Sequence, residues 1–125
     1  MRSSSKPLAA AALFLASVFA APAAAVDAPY DRQLMRLSEV LGSIHYLRRL
    51  CGEEDGGWRA QMEALLRAEA PSEERRAKLV ASFNHGYRSF AAIYSTCTES
   101  AVQAIERYMS EGEALTSEIV LRYGN

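Results

Sequence analysis

Six apolar residues between Asp31 and Cys51 recur every three or four positions: Leu34, Leu37, Leu41, Ile44, Leu47 and Leu50. That spacing gathers side chains on one face of a helix and cannot build the face of a strand. No stretch elsewhere alternates polar with apolar residues between hairpin turns, so the chain is expected to fold as helices packed on helices. Arg32, Arg36, Glu39 and Ser43 fall on the wetter side of this first helix. Cys51 and Gly52 end it, and Glu53 to Gly57, rich in acids and glycine, are expected to form an exposed turn.

A second, shorter helix carries Trp58, Met62, Leu65 and Leu66 and stops near Pro71. Ser72 then offers an N-cap oxygen, with Glu73 and Glu74 opposing the positive end of the next helix dipole. The third helix aligns Leu79, Phe83, Tyr87, Phe90 and Tyr94 as an aromatic spine and is expected to run to about Ser95. Thr96-Cys97-Thr98-Glu99 matches the S/T-x-x-E capping box, which restarts the backbone as a fourth helix, an unbroken rod being the alternative. The seam of that helix is Ala101, Ile105, Tyr108, Gly112, Leu115 and Ile119. Gly86 and Gly112 lie inside helical patterns, where each costs about 1 kcal/mol relative to Ala, so close packing or a bend is expected at both. The fold class that follows is all-α, a small bundle of three to four helices.

The amino end is read apart from the fold. Arg2 and Lys6 precede an uncharged run from Leu8 to Ala20, and small residues follow up to Ala23, Ala24 and Ala25. This order is that of a secretory signal peptide cleaved after Ala25, with Ala21 and Ala23 marking an alternative site. The uncharged run falls short of the roughly 20 residues of a membrane-spanning helix, and no second apolar span follows, so no stable membrane span is expected after cleavage. Residues 26–125 then make one helical domain. Loss of Arg2 and Lys6 leaves twelve Lys and Arg against fifteen Asp and Glu, a formal charge of -3. Such a surface lacks the basic stripe that phosphate backbones demand, and nucleic acid is not expected as a partner.

Export would carry Cys51 and Cys97, the two cysteines of the chain, into an oxidising compartment. A pair of thiols there normally ends as a disulfide. Neither belongs to a C-x-x-C pair, and His45 and His85 provide no zinc-ligand spacing. If the first three helices run up, down and up, the ends of the first and third meet, and the topology permits a Cys51–Cys97 bridge. Closing a loop of this length stabilises a domain by about 4 kcal/mol in the chain-entropy picture.

The blocks "YDRQLMRLSEVLGSIHYLRRLC", "FNHGYRSFAAIYSTCT" and "AIERYMSEGEAL" resemble those of a family of short exported proteins of uncharacterised function found in alphaproteobacteria. Both cysteines lie inside the matching blocks. The resemblance implies a periplasmic or cell-envelope location in a Gram-negative cell, and it supplies no activity.

Candidate chemistry therefore rests on residue types alone. His45 on the first helix and His85 on the third could serve a ligand or sense pH, yet no Glu-x-x-His or His-x-x-x-His pairing accompanies them, and no metal or cofactor is expected. The acidic turn is too short for an EF-hand. No G-x-S-x-G elbow, G-x-G-x-x-G or P-loop occurs, so neither a catalytic triad nor a nucleotide site is framed. Arg48-Arg49 and Arg75-Arg76 read as solvated helix ends, and Phe83, Tyr87, Phe90, Tyr94 and Tyr108 as core aromatics that could also line a small pocket. The expected function is a periplasmic protein-interaction or structural module that engages another envelope protein. A periplasmic stress chaperone, and a small-ligand carrier or enzyme using the space between helices, are the alternatives. Partner and oligomeric state are left open by the sequence.

Overall fold

The computed structural model describes residues 2–5, 28–53 and 57–124. The expected signal peptide, residues 1–25, lies outside the described residues apart from the exposed, irregular stretch 2–5. Among the described residues there are four α-helices and no strand: α1 Asp31–Leu50, α2 Trp58–Glu69, α3 Glu73–Ala91 and α4 Glu99–Tyr123. No helix among them is long and apolar enough to cross a membrane.

α1 is the helix on which the other three pack. Its Asp31 and its Arg48 and Arg49 lie at the ends where their charges oppose the helix dipole. It stops at Cys51, and Gly52 beyond it takes φ 97°, a conformation that favours glycine. α2 ends on Ala70 at φ 42°, left-handed, just before Pro71. Ser72 then caps α3, its Oγ accepting from the Arg75 amide at 3.3 Å. Tyr30 hydroxyl donates to Glu69 at 2.9 Å, which ties the start of α1 to the end of α2, while Arg36 of α1 binds Glu111 far along α4. α2 and α4 thus run antiparallel to α1. α3 runs parallel to it, because Leu34 clusters with Leu79 near both starts and Tyr46 reaches Tyr94 beyond the end of α3.

α3 is shorter than its apolar pattern predicts, ending at Ala91 rather than near Ser95. Two long-range ties pull the chain off the helix axis. Tyr46 hydroxyl donates to the Tyr94 carbonyl, and Cys97 is bonded to Cys51 with a Cα–Cα distance of 4.9 Å. Cys97 therefore lies in the α3–α4 connection and not at a helix end. α4 is a separate helix, and its cap is Thr98 rather than Thr96: Thr98 Oγ1 accepts from the Ala101 amide at 3.1 Å.

The core has two parts. Leu34, Met62, Leu66, Leu79 and Phe83 form one, near the start of α1. Leu47, Ala101, Ala104 and Ile105 form the other, with Cys51 packed against it. Between them α1 and α3 approach backbone to backbone. A Cβ on Gly42 would sit 1.9 Å from the Phe83 carbonyl oxygen, and one on Gly86 would sit 2.0 Å from that of Glu39. The expectation of close packing at Gly86 holds, and Gly42 is its counterpart across the crossing. Ser43, expected on the wet side, is only 1 % exposed, its hydroxyl returned to the Glu39 carbonyl at 2.9 Å. α1 buries a small-residue face, Ser38, Gly42 and Ser43, in addition to its leucine face.

Candidate functional site

α2 and α4 do not close over α1, and a cleft of about 450 Å³ remains between them. Leu37, Val40, Leu41 and Ile44 make its floor; Met109, Gly112, Thr116 and Ser117 form the α4 wall, and Trp58 the opposite one. Three small residues, Gly112, Thr116 and Ser117, leave room along the α4 wall. At Gly112 an added Cβ would reach only ordinary contact, 3.5 Å from Val40 Cγ1. The close packing expected at Gly112 is thus not what its missing side chain serves. It leaves the cleft open. Glu113, Thr116 and Ser117 give the rim its polar atoms, and the buried Trp58 indole N–H has no hydrogen-bond acceptor among the described residues. Mostly apolar walls with a few polar groups are the usual make-up of a binding cleft.

Past the cleft one side of α4 stays on the bundle, Ile119 against the lower core and the Tyr123 ring 5.3 Å from that of Tyr30, while the other side is apolar and exposed. Leu115 and Ile119 are half-buried, whereas Val120 is 60 % and Leu121 84 % exposed. Val120 and Leu121 are not members of the expected seam, which ends at Ile119.

The two histidines are not brought to a common centre. His45 is half-buried, its ring 5.8 Å from that of Phe83 and 5.7 Å from that of Tyr87. His85 has a 69 % exposed side chain and stands 3.9 Å from Glu39. No group of three or more His, Cys, Asp or Glu able to hold a metal occurs among the described residues. Both cysteines are in the bridge, which leaves no thiol as nucleophile or ligand. The acidic turn considered for calcium falls largely on residues 54–56, outside the described residues.

Of the aromatic residues, Phe83, Tyr87, Phe90, Tyr94 and Tyr108 do not line the cleft. Phe90 meets Tyr108 edge-on at 5.1 Å and stacks on Tyr94 at 6.1 Å, while Tyr87 meets Tyr46 at 5.2 Å. These are packing contacts.

One member of a cationic pair departs from its expected place, while Arg76 is exposed as expected. Arg75 is not a solvated helix end: its side chain is 12 % exposed and clamps Asp31 by two bonds of 2.9 and 2.6 Å, with Glu69 at 3.3 Å. Its guanidinium holds the Asp31 carboxyl below the usual carboxylate range by hydrogen bonding, and the two carboxylates raise the pKa of Arg75 in turn. Tyr30, which donates to Glu69, is pushed above its ordinary value. The cluster joins the lower ends of three helices and is structural. Asp31 is 44 residues from Arg75 in sequence, and only the up-down-up order of the helices could have signalled its meeting with Arg75 and Glu69.

Residues 29–123 match a family described as "Protein of unknown function (DUF2385)". No curated protein and no solved structure matches the chain.

Proposed function

The chain belongs to this family of unknown function, and we propose that it is an exported, periplasmic contact module whose cleft on α1 receives apolar side chains from a helix of an envelope protein. The observation that carries the reading is the cleft itself, an apolar floor bordered by two helices that leave it uncovered. A volume of about 450 Å³ suits a few side chains projecting from a partner helix at i, i+3 or i+4 spacing, the usual mode of helix-in-groove recognition. The exposed apolar residues Val120 and Leu121 would lengthen the contact along α4. The periplasmic address is supported by the leader pattern of residues 1–25 and by a disulfide, which suits an oxidising compartment.

Photo-crosslinking in the intact cell tests it. A crosslinker at Ser117, on the rim, should give a discrete adduct with an envelope protein, and one at the exposed Ala81 of α3 should not. Gly112→Leu should abolish the Ser117 adduct by filling the cleft. Equal adducts from both positions, or none from Ser117, would refute the contact. Intact mass of the periplasmic protein checks the address, with a start at Val26 as the expected result.

The same volume falls within the range of small-molecule pockets, roughly 300–1,000 Å³, and a carrier of an apolar small molecule is the second reading. Trp58 is the only tryptophan and forms a wall of the cleft. Its emission should change saturably with an apolar naphthylamine dye if small molecules enter, and the change should be lost in Gly112→Leu.

A further inference from the structure

A second concavity, of about 170 Å³, lies where α1, α2 and α3 meet and shares no lining residue with the cleft. We infer that this recess, lined by His45, Arg49, Arg59 and Asn84, is an anion site that takes a small oxyanion, a phosphate- or carboxylate-type group. Its lining holds two guanidiniums, an imidazole and a carboxamide, and no carboxylate among the described residues. Phe83 and Tyr87 complete it and pack against the imidazole.

Three further observations converge on negative charge. Arg49 lies one helical turn beyond His45, on the same side of α1, and pairs with no carboxylate among the described residues. Arg59 enters from the first turn of α2 and has only a long contact with Glu63, 3.9 Å between two exposed side chains. That first turn contains no acid, and the positive end of a helix dipole favours an anion beside it.

Electrostatics agrees with the geometry. Burial, then Arg49 and Arg59, hold the His45 imidazole below the usual histidine range. The groups facing it are Arg49 from its own helix, Arg59 from α2, and Asn84 and Tyr87 from α3; Glu63 stands behind Arg59. Glu54 and Asp55, in the same α1–α2 connection, lie outside the described residues. An anion between the guanidiniums would cancel the repulsion on His45 and let it protonate more readily. By reciprocity the protonated ring would hold the anion more tightly.

The two histidines make this directly measurable, one as reporter and one as control. The ring resonances of His45 and His85 would be followed through a pH titration of the mature protein in sodium sulfate, in sodium acetate and in sodium chloride at matched ionic strength. Sulfate stands in for a phosphate group and keeps a constant charge. The expected result is a saturable rise of the His45 midpoint by about half a unit, equivalent to about threefold tighter anion binding by the charged ring, with His85 following chloride. Arg49→Gln and Arg59→Gln should each loosen the anion by about threefold, the worth of an exposed ion pair, without changing the fold. A response to sulfate alone assigns a phosphate-type ligand; a response to acetate as well assigns oxyanions generally. The site is overturned if His45 behaves in sulfate and acetate as in chloride, as it would were the guanidiniums already neutralised. It is overturned equally if His85 shifts as much as His45, or if the double arginine variant keeps the response.

Discussion

Two carbonyl oxygens, those of Phe83 and Glu39, stand where the side chains of Gly42 and Gly86 would begin. Because both obstacles are backbone, no rotamer change can relieve the overlap, and the two helices would have to separate. Gly42→Ala and Gly86→Ala should each destabilise the protein by about 3 kcal/mol, at the severe end of overpacking. Gly112→Ala is the control, since its Cβ meets nothing closer than Val40 Cγ1 at 3.5 Å; it should be neutral or stabilising by up to about 1 kcal/mol through helix propensity. Urea unfolding of the three variants checks the contrast. Asp31 answers to pH instead. Its carboxyl is held below the ordinary 3.8 chiefly by the hydrogen bonds from Arg75, so the folded state favours the ionised form. The stabilisation is fully present above that ordinary value and is lost as pH falls through the lower folded value. Asp31→Asn should therefore cost about 1–3 kcal/mol near neutrality, and the gap to the parent protein should narrow when unfolding is measured in acid.

The helix ends carry the next test. Thr96 precedes Glu99 at capping-box distance while Thr98 precedes it directly, and the three-dimensional path selects Thr98. Thr98→Ala should cost about 1 kcal/mol, whereas Thr96→Ala should stay within about 0.5 kcal/mol, as exposed substitutions do. Thermal melts of the pair decide the register. This ambiguity shows where local pattern stops being informative. The bounds of α1 and α2 could be read directly, because leucine spacing and turn residues act within a few positions. The end of α3 could not, because the aromatic pattern continues to Tyr94 while the bridge and the Tyr46 bond draw the chain away. Ser43 was misplaced for a related reason. A periodicity argument assumes one buried face, and α1 has two, the second made of residues whose small size, not their hydrophobicity, suits them to it. The cleft was hidden as well. It arises from the failure of two helices to meet, which no single helix encodes, and Gly112 was its one trace in the sequence.

Taken together, the helices form two small clusters of buried side chains linked by a tight crossing, with the bridge fastening the upper cluster. Cys51 and Cys97 are 46 residues apart, and opening a loop of that length returns about 4 kcal/mol of chain entropy to the unfolded state. Stabilities of small domains are about 5–15 kcal/mol, so Cys51→Ser with Cys97→Ser should leave a protein that melts far lower or is partly unfolded. Full retention of thermal stability would show that the bridge contributes nothing. The central position of α1 has a separate consequence, seen in how the molecule opens. α2, α3 and α4 each lean on α1 more than on one another, so the loss of any one of them leaves α1 partly covered by the others. The amides of α1 lose their shelter only when all three partners have gone. Deuterium should therefore enter the last turns of α4, beside the uncovered Val120 and Leu121, long before it reaches the middle of α1, whose exchange would report the free energy of unfolding the whole protein.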